Sequence, residues 1–458
     1  MTRRLVLSAA LLFSAAAGPA AARSANDGAC AACIRAHMEF LASDALRGRG
    51  SATPDEWTAA TYLATQLRLV GVQPGAADGG FLQRIDLVEQ PLREAPSLAL
   101  AGARFVNGTE ILAIRVAASA AGPLRKVPAA EIATRVKPGD VALVLPAADL
   151  AMGQLFQAVR AARKAGAVAV LVPDAGGAFR ALWKQPARVE LRRKDAPAST
   201  DNTVVLADAA LKLAVAQADG TRVELSVPLD APRTRPTWNV VGRIDGEHAE
   251  EVVLLSAHLD HLGECPPVNG DAVCNGADDD ASGTTAVMEL ARWLAQSGRR
   301  PRRSVVFALF GSEELGGHGS SGFRDSGLVP LARIVANLQF EMIGRKDPAV
   351  RGDGLWLTGY ERSDLGPMLA RHGALLVADP HPDQNFFQRS DNYGFALAGV
   401  VAHTVSSYGL HADYHQPSDE LKAIDFEHMT RAIGSLFQPI RWLVDSDWKP
   451  AWAPGKRP

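Results

Sequence analysis

The sequence has almost no excess of charge, and it has few long apolar runs. Its 48 Lys and Arg residues nearly balance 50 Asp and Glu residues, so the net charge of −2 gives no electrostatic footprint for nucleic acid or an anionic membrane. Internal repeats are absent, and 47% hydrophobic residues with 21% charged residues are typical of a globular protein, which excludes a fibre or a disordered chain. At 458 residues the chain exceeds what one hydrophobic core usually organises, so we expect two structural domains.

The one apolar run that stands out lies at the amino terminus. Arg3 and Arg4 precede an apolar stretch over residues 5–18, and the small residues 20–22 follow it. This order is typical of a secretory signal peptide, and the run is shorter than the roughly 20 residues that a membrane-spanning helix needs. We predict a signal peptide over residues 1–22, export to the periplasm or the medium, and no stable membrane insertion after its removal. An uncleaved anchor is the alternative, and a lipoprotein is disfavoured because no apolar lipobox precedes Cys30.

Four cysteines are compatible with disulfide bonds in an exported protein. We favour a pair between Cys265 and Cys274, because both lie in one short loop that contains Pro and Gly. Cys30 and Cys33 form a CxxC motif without a partner CxxC and without a preceding thioredoxin-like strand. They are predicted to form a local disulfide or to remain two free thiols.

The texture of the sequence changes twice after the signal. Residues 23–91 are mainly helical in pattern, and residues 92–236 contain short strands, many prolines and one strand–helix–strand unit over 141–173. Residues 233–236 are predicted to be a linker. From residue 237 to 458, strands alternate with helices. We predict an α/β fold, a doubly wound and mostly parallel sheet with helices on both faces, into which residues 92–236 are inserted as a smaller α/β domain.

Three stretches of sequence in the carboxyl-terminal segment support this prediction of an α/β fold. The apolar runs 252–257 and 304–310 are typical of strands buried on both faces of a parallel sheet. Residues 283–298 have the spacing of an amphipathic helix, with Ser282 as its expected N-cap. Further strands are expected at 355–358 and 400–405.

Residues that can bind metals follow both buried strands directly. His258, Asp260 and His261 follow the first strand, and Glu313 and Glu314 follow the second. In doubly wound sheets, ligands bind beyond the carboxyl ends of the strands. Each cluster alone is more often a solvated loop, and the three aspartates 278–280 alone could be an acidic helix start. Two imidazoles and three carboxylates together could hold two divalent cations, if one carboxylate is shared; the five residues are His258, Asp278, Glu314, Glu341 and His415.

Five motifs in this order resemble those of the co-catalytic di-zinc peptidases, the family of bacterial leucyl aminopeptidases and glutamate carboxypeptidase. They are HLDHLG (258–263), NGADDDASG (275–283), GSEELGGHGS (311–320), FEMIGR (340–345) and DYHQPSD (413–419). The early segment FLASDALRGRGS (40–51) also resembles the amino-terminal segment of that family, and residues 92–236 resemble its inserted protease-associated domain. The resemblance implies the zinc exopeptidase fold and two Zn²⁺ ions per chain.

Carried over motif by motif, the resemblance assigns a role to each candidate residue. Asp278 would be the bridging carboxylate, with His258 and Glu341 completing one zinc site and Glu314 and His415 the other. Glu313 would be the general base, and Asp260 would orient His258. Tyr414 is a candidate for polarising the scissile carbonyl, with an ordinary packed tyrosine as the equal alternative, and the family's cis peptide would join Asp278 and Asp279.

The resemblance implies an exported exopeptidase that removes single residues from peptides, with an aminopeptidase preferred. Many relatives carry Asp where this sequence has Glu341, which weakens the preference for an aminopeptidase over a carboxypeptidase or dipeptidase. A glutaminyl cyclase with one zinc ion and a receptor-like module without catalysis are two further candidates. Peptides are the expected partners, nucleic acids are not, and the sequence does not predict the oligomeric state.

Several more polar residues near the motifs are expected to support the structure. His261, His318 and His411 are predicted to contact ligands from behind or to face solvent. Arg345 is expected to pair with an acid, with a substrate carboxylate as the alternative. His403 is expected to be structural.

Overall fold

The computed structural model of the chain describes residues 28–147, 150, 152–174, 177, 179 and 190–458. The predicted signal peptide, residues 1–22, lies outside the described residues. The helices are α1 (Ala31–Leu41), α2 (Pro54–Leu69), α3 (Ile132–Arg135), α4 (Met152–Lys164), α5 (Asp208–Ala216), α6 (Gly283–Gln296), α7 (His318–Ser326), α8 (Leu365–Arg371), α9 (Asn392–Leu397) and α10 (Phe426–Asp445). No helix in the described part of the chain is long and apolar enough to cross a membrane.

The strands fall into two large sheets and one hairpin. In chain order they are β1 (Gln73–Pro74), β2 (Leu82–Gln90), β3 (Ser97–Leu100), β4 (Ala103–Val106), β5 (Ile111–Arg115), β6 (Ala120–Val127), β7 (Val141–Val144), β8 (Ala169–Pro173), β9 (Glu190–Arg193), β10 (Thr203–Leu206), β11 (Arg222–Ser226), β12 (Arg233–Ile244), β13 (His248–His258), β14 (Gly263–Val268), β15 (Asp271–Cys274), β16 (Arg303–Phe310), β17 (Ile334–Phe340), β18 (Leu355–Leu357), β19 (Leu376–Ala378) and β20 (Ala402–Ser406).

The larger sheet confirms the predicted α/β class. Its order is β19-β18-β20-β17-β13-β16-β12-β2-β9, with β1 paired to β12. The four central strands β20, β17, β13 and β16 are parallel, whereas β12, β2 and β9 add antiparallel pairings on one flank, so the sheet is mixed. All eight residues of β16 are buried, as expected for a strand with helices on both faces.

Successive side chains of β13 pack in two different hydrophobic cores. Val253 and Leu255 pack in the core that includes residues of α1, α2, α6 and α10, whereas Val252 and Leu254 pack in the core that includes residues of α7 and α9. Because side chains alternate between the faces of a strand, an uninterrupted apolar run is what both cores require. The doubly wound arrangement follows from this pattern.

The second sheet is built from residues 97–226, in the order β4-β3-β11-β6-β7-β8-β10-β5. Separate apolar clusters lie on its two faces, one of them closed by α4. The strand–helix–strand unit predicted over 141–173 is present as β7, α4 and β8, with the two strands parallel. The division of the chain into domains at residues 91 and 236 stays a prediction.

The predicted linker at residues 233–236 is wrong, because these residues begin β12 and pair with β2. Pro236 lies opposite Asp86, in the part of β12 that precedes its pairing with β16. Proline lacks an N–H, so it is tolerated where a strand has a free side. The Arg-Thr-Arg-Pro run is therefore a strand with one free side and not a connection.

Both cysteine pairs form disulfide bonds. The pair Cys265–Cys274 is confirmed and links β14 to β15. Cys30 and Cys33 are also bonded, so the CxxC motif forms the local disulfide and not two free thiols.

Candidate metal centre

The candidate residues converge at the carboxyl ends of three neighbouring parallel strands. His258 is the last residue of β13, Glu313 and Glu314 follow β16, and Glu341 directly follows β17. Asp279 lies in the turn over Ala277–Ser282 that leads into α6, and His415 lies in the loop after β20. The sheet therefore brings together side chains that are up to 157 positions apart, from His258 to His415.

Two groups of potential ligand atoms share one carboxylate. His258, Asp279 and Glu341 form the first group, and His261, Asp279 and Glu314 form the second, each with ligand atoms within 4.8 Å of one another. Asp279 Oδ1 lies 3.2 Å from His258 Nε2, and Asp279 Oδ2 lies 3.1 Å from His415 Nε2. Asp279 thus offers one oxygen to each side.

His415 and His261 both lie beside Glu314 in the second group. His415 Nε2 is 3.3 Å from Glu314 Oε2, and His261 Nδ1 is 2.9 Å from Glu314 Oε1. His261 is fully buried, so the prediction that it could face solvent is wrong. The HLDH run contains this second histidine, and its position three residues after His258 is the only signal for it in the sequence.

Asp278, which the sequence predicted to be the bridging carboxylate, belongs to neither group. Its Oδ1 accepts hydrogen bonds from the Gly344 amide at 2.7 Å and the Ser282 hydroxyl at 3.1 Å, and its Oδ2 lies 3.2 Å from His411 Nε2. The carboxylate that the two groups share is that of Asp279, one residue after the predicted Asp278. The cis peptide bond is shifted in the same way and joins Asp279 to Asp280.

The backbone conformation of the turn explains why the Asp279 side chain, and not that of Asp278, faces the two ligand groups. The turn over Ala277–Ser282 is not a regular helix, because Asp279 and Asp280 have extended or bridging conformations, with φ/ψ of −102°/96° and −127°/41°. Adjacent side chains therefore point in different directions. Ser282 lies at the predicted N-cap position of α6 but does not cap it, because its hydroxyl donates to the Asp278 carbonyl at 2.7 Å.

Asp260 lies beside His258 as predicted, and it also holds the loop that carries the two glutamates. Its Oδ1 is 3.8 Å from His258 Nδ1 and accepts the Glu313 amide at 3.0 Å, while its Oδ2 accepts the Glu314 amide at 3.3 Å. His258 Nδ1 lies closer to the Asp260 carbonyl oxygen, at 3.2 Å. Donation from Nδ1 to this carbonyl leaves Nε2 of His258 as the nitrogen that faces Asp279.

Two residues that the sequence did not single out fix the turn with Asp279. Both carboxylate oxygens of Asp419 lie 3.1 Å from the Asp278 amide, and Oδ2 also accepts the Asp279 amide at 3.1 Å. Arg49 is 1% exposed and donates to the carbonyls of Leu259, Asn275 and Gly276. The signals in the sequence are the final aspartate of DYHQPSD and the second arginine of RGRGS, a run whose glycines indicate only a turn.

Crowded carboxylates and imidazoles shift one another's pKa values strongly. Burial opposes the charged imidazolium, yet Asp280, Asp260 and Asp279 raise the pKa of His258 well above its ordinary value. The pKa of His415 rises to about 10 despite burial, because Asp279 and Glu314 lie beside it. Burial, with Asp279 among the nearby acids, raises the pKa of Glu341 to about 7. So much negative charge in a buried place requires positive charge nearby.

The donor set fits divalent metal ions. Histidine nitrogens and carboxylate oxygens are ordinary zinc ligands. Glu341 Oε2 is buried without a hydrogen-bond partner among the described residues, as expected of an atom kept for another ligand.

Glu313 and Tyr414 border the two groups without belonging to them. Burial, reinforced by Asp391 and Glu314, raises the pKa of the half-buried Glu313 well above its ordinary value. Tyr414 stacks on His415 with ring centroids 3.9 Å apart, and burial together with Asp279 raises its pKa. Tyr414 also forms one wall of a small pocket that reaches Glu341.

The remaining polar candidates lie at the edge of this centre. Arg345 Nη1 pairs with Asp413 at 2.7 Å, His318 is half-buried outside both ligand groups, and His411 is buried against Asp278. His403 is buried away from the centre, with Nε2 2.7 Å from the Ser363 hydroxyl.

Comparison with known proteins supports the resemblance seen in the sequence. Residues 239–437 match the family model described as "Peptidase family M28". The chain is 28% identical over 247 residues to the "Probable lipoprotein aminopeptidase LpqL" of Mycobacterium tuberculosis, a match that covers 46% of this chain and 45% of that protein. The chain thus spans less than half the length of this curated relative.

Solved structures share the fold over nearly the whole chain. An aminopeptidase from Aneurinibacillus sp. strain AM-1 superposes with a TM-score of 0.58 at 18% identity, covering 94% of this chain and 96% of that one. A zinc aminopeptidase from Bacillus subtilis superposes with a TM-score of 0.51 at 19% identity, covering 91% and 95%. At these identities the likeness shows the fold.

Proposed function

We propose that this chain, which carries a peptidase family M28 domain over residues 239–437, is an exported aminopeptidase that binds two zinc ions and removes single residues from the amino ends of peptides. The observation that carries the proposal is the pair of ligand groups that share Asp279. A carboxylate with one oxygen directed to each group can hold two cations close together, which is the arrangement that co-catalytic hydrolysis requires. His258 and Glu341 would complete one site, and Glu314 and His415 the other, with His261 supporting Glu314.

Zinc ions bound at these residues would supply Lewis acidity to the scissile carbonyl and lower the pKa of water. The protein's own part begins with Glu313, which accepts the proton of the attacking water and passes it to the leaving amine. The hydrogen bonds from the amides of Glu313 and Glu314 to Asp260 keep this side chain in place.

Tyr414 is proposed to donate a hydrogen bond to the carbonyl oxygen as it becomes an oxyanion. Its ring is held by stacking on His415, one of the proposed ligands. Its raised pKa keeps the hydroxyl protonated at neutral pH, so that it remains a donor.

Export is proposed from the amino-terminal pattern and is supported by the two disulfide bonds among the described residues. Disulfides persist in the periplasm and outside the cell, where peptides are available as substrates.

The experiment that tests the function substitutes Glu313→Gln in the mature chain, with the exposed Glu361→Gln as a matched control. We expect Glu313→Gln to lower kcat on a free amino-acid anilide by at least about a hundredfold, the low end for a general base, while bound zinc stays at two ions per chain. Loss of zinc together with activity would make Glu313 a ligand and contradict the proposed role. One zinc per chain in the wild type would favour a glutaminyl cyclase.

The direction of cleavage is tested with paired substrates. An aminopeptidase should hydrolyse peptides with a free amino terminus and leave the same peptides intact after amino-terminal acetylation. Cleavage of acetylated peptides alone would support a carboxypeptidase or dipeptidase instead.

A further inference from the structure

The pocket beside Glu341 has an apolar floor. An arginine at its edge has no acidic partner among the described residues. Trp356 and Phe386 form part of the floor, with ring centroids 5.1 Å apart, and Tyr414 forms a wall. Its cavity volume is about 30 Å³, so only a group of a few atoms, such as a carboxylate, can enter it.

Most polar side chains in this pocket already bond within the chain. The Thr358 hydroxyl oxygen accepts the Thr404 amide at 3.0 Å, and the Thr404 hydroxyl donates to Asn392 at 2.9 Å. Ser406 donates to the Met342 carbonyl at 3.1 Å, and the Trp356 indole donates to the Ser407 carbonyl at 3.0 Å. The donors of Thr404, Ser406 and Trp356 are therefore engaged within the chain, whereas Thr358 uses its hydroxyl oxygen as an acceptor.

Arg389 is the one cation among the described residues that line this pocket. It is exposed, it lines the pocket, and no carboxylate among the described residues lies within 4.0 Å of its guanidinium. The guanidinium carbon lies 5.2 Å from the centroid of the Phe386 ring, so the planar group rests near the aromatic floor. Its charge also reaches Tyr414, where it lowers the hydroxyl pKa against the larger upward effects of burial and nearby acids.

A guanidinium presents its N–H donors as a planar fork, which matches the two oxygens of a carboxylate. The acids that border the same pocket do not compete for it, because Glu341 is directed into the first ligand group. The aromatic floor would hold the methylene groups of a side chain that ends in an acid.

We infer that Arg389 binds a carboxylate of the substrate, placing it in the pocket between Tyr414 and Phe386. The carboxylate has two possible sources, the acidic side chain of the residue next to the scissile bond and the free carboxyl end of a short peptide. This inference rests on the proposed peptidase function and adds a substrate class to it.

The test compares substrate pairs that differ only in one carboxylate. Glutamyl and glutaminyl anilides report on the side chain, and a dipeptide with its carboxyl-terminal amide reports on the peptide end. Both pairs are assayed with the zinc-loaded wild type, Arg389→Gln, Arg389→Lys and the control Arg222→Gln, which changes an exposed arginine on β11 of the second sheet. The readout is the ratio of kcat/KM within each pair.

We expect the acid to be preferred by at least about tenfold in one of the two pairs, as a charge-assisted hydrogen bond would give. Arg389→Gln should bring that ratio close to one, Arg389→Lys should retain part of it, and Arg222→Gln should not change it. The pair that shows the preference identifies the source of the carboxylate. Equal ratios in the wild type and in Arg389→Gln, for both pairs, would overturn the inference.

A second readout separates this inference from the proposed function. Titration calorimetry measures the binding of free L-glutamate and L-glutamine to the zinc-loaded protein. If no anilide or dipeptide is cleaved, the proposed function fails, and this titration then decides on Arg389 alone. Binding of either amino acid that Arg389→Gln abolishes would support the inference, and affinities for both amino acids that Arg389→Gln leaves unchanged would overturn it.

Discussion

Arg49 provides the sharpest test of how the amino-terminal segment supports the candidate site. Its guanidinium donates to four carbonyl oxygens, those of Leu41 at 2.5 Å, Leu259 at 3.0 Å, Asn275 at 2.5 Å and Gly276 at 3.1 Å. Leu259 directly follows His258, and Gly276 lies three residues before Asp279. The perturbation is Arg49→Met, which keeps much of the length of the side chain and removes all four donors.

The expected cost follows from these four carbonyls. A buried acceptor that loses its partner costs about 1–3 kcal/mol, and removal of a buried charge returns part of the total. Taking the low end for each carbonyl gives about 4 kcal/mol of lost stability. Because the loops after β13 and before α6 would no longer be tied together, we also expect weaker zinc binding.

The assay is urea unfolding followed by tryptophan fluorescence, with zinc affinity measured by competition with a chelator. Arg35→Met is the control, because Arg35 is 55% exposed and makes a 3.7 Å contact with Glu39 and a 4.0 Å contact with the centroid of the Phe426 ring, so its loss should cost about 1 kcal/mol or less. If Arg49→Met unfolds within about 1 kcal/mol of the wild type and binds zinc equally well, the reasoning is refuted.

Two further predictions concern the aspartate turn and a buried histidine. Asp279→Asn should release zinc and abolish hydrolysis. Asp278→Asn should keep its zinc, because the amide oxygen of the new side chain can still accept the hydrogen bond from Gly344. If metal analysis gave the reverse order, Asp278 would be the shared ligand. Burial lowers the pKa of His403 from 6.5 to about 4, so the imidazole is harder to protonate in the folded protein than in the unfolded chain. The free energy of unfolding therefore decreases as the pH falls from about 6.5 through about 4. The loss is about 3 kcal/mol, and it should be absent from His403→Gln when unfolding free energy is measured against pH; parallel curves for the two proteins would contradict it.

The sequence predicted the strands that carry the site better than the turns between them. The runs 252–257 and 304–310 were recognisable because a strand buried on both faces needs an apolar residue at every position. The residues that closely follow each run are then placed at the edge of the sheet, which is why His258 and Glu314 could be predicted to lie in one site.

The shared aspartate could not be assigned in the same way. Residues 278–280 are three identical side chains in a turn without regular periodicity, so only the backbone conformation decides which carboxylate faces the histidines. The sequence did not indicate that Arg49 is buried, because an arginine in a glycine-rich run is usually exposed. Its burial depends on carbonyls from loops more than 200 positions away.

The strand β9 connects the middle of the chain to the larger sheet. Residues 190–193 come from the segment that also builds the second sheet, yet they pair with β2 and so form one flank of the larger sheet. A truncation that excises residues 92–236 would therefore remove an outer strand and the first four residues of β12 together with the second sheet. A shorter fragment that keeps the candidate metal centre has to retain both pieces, or its remaining β2 would be left with exposed backbone groups that promote aggregation.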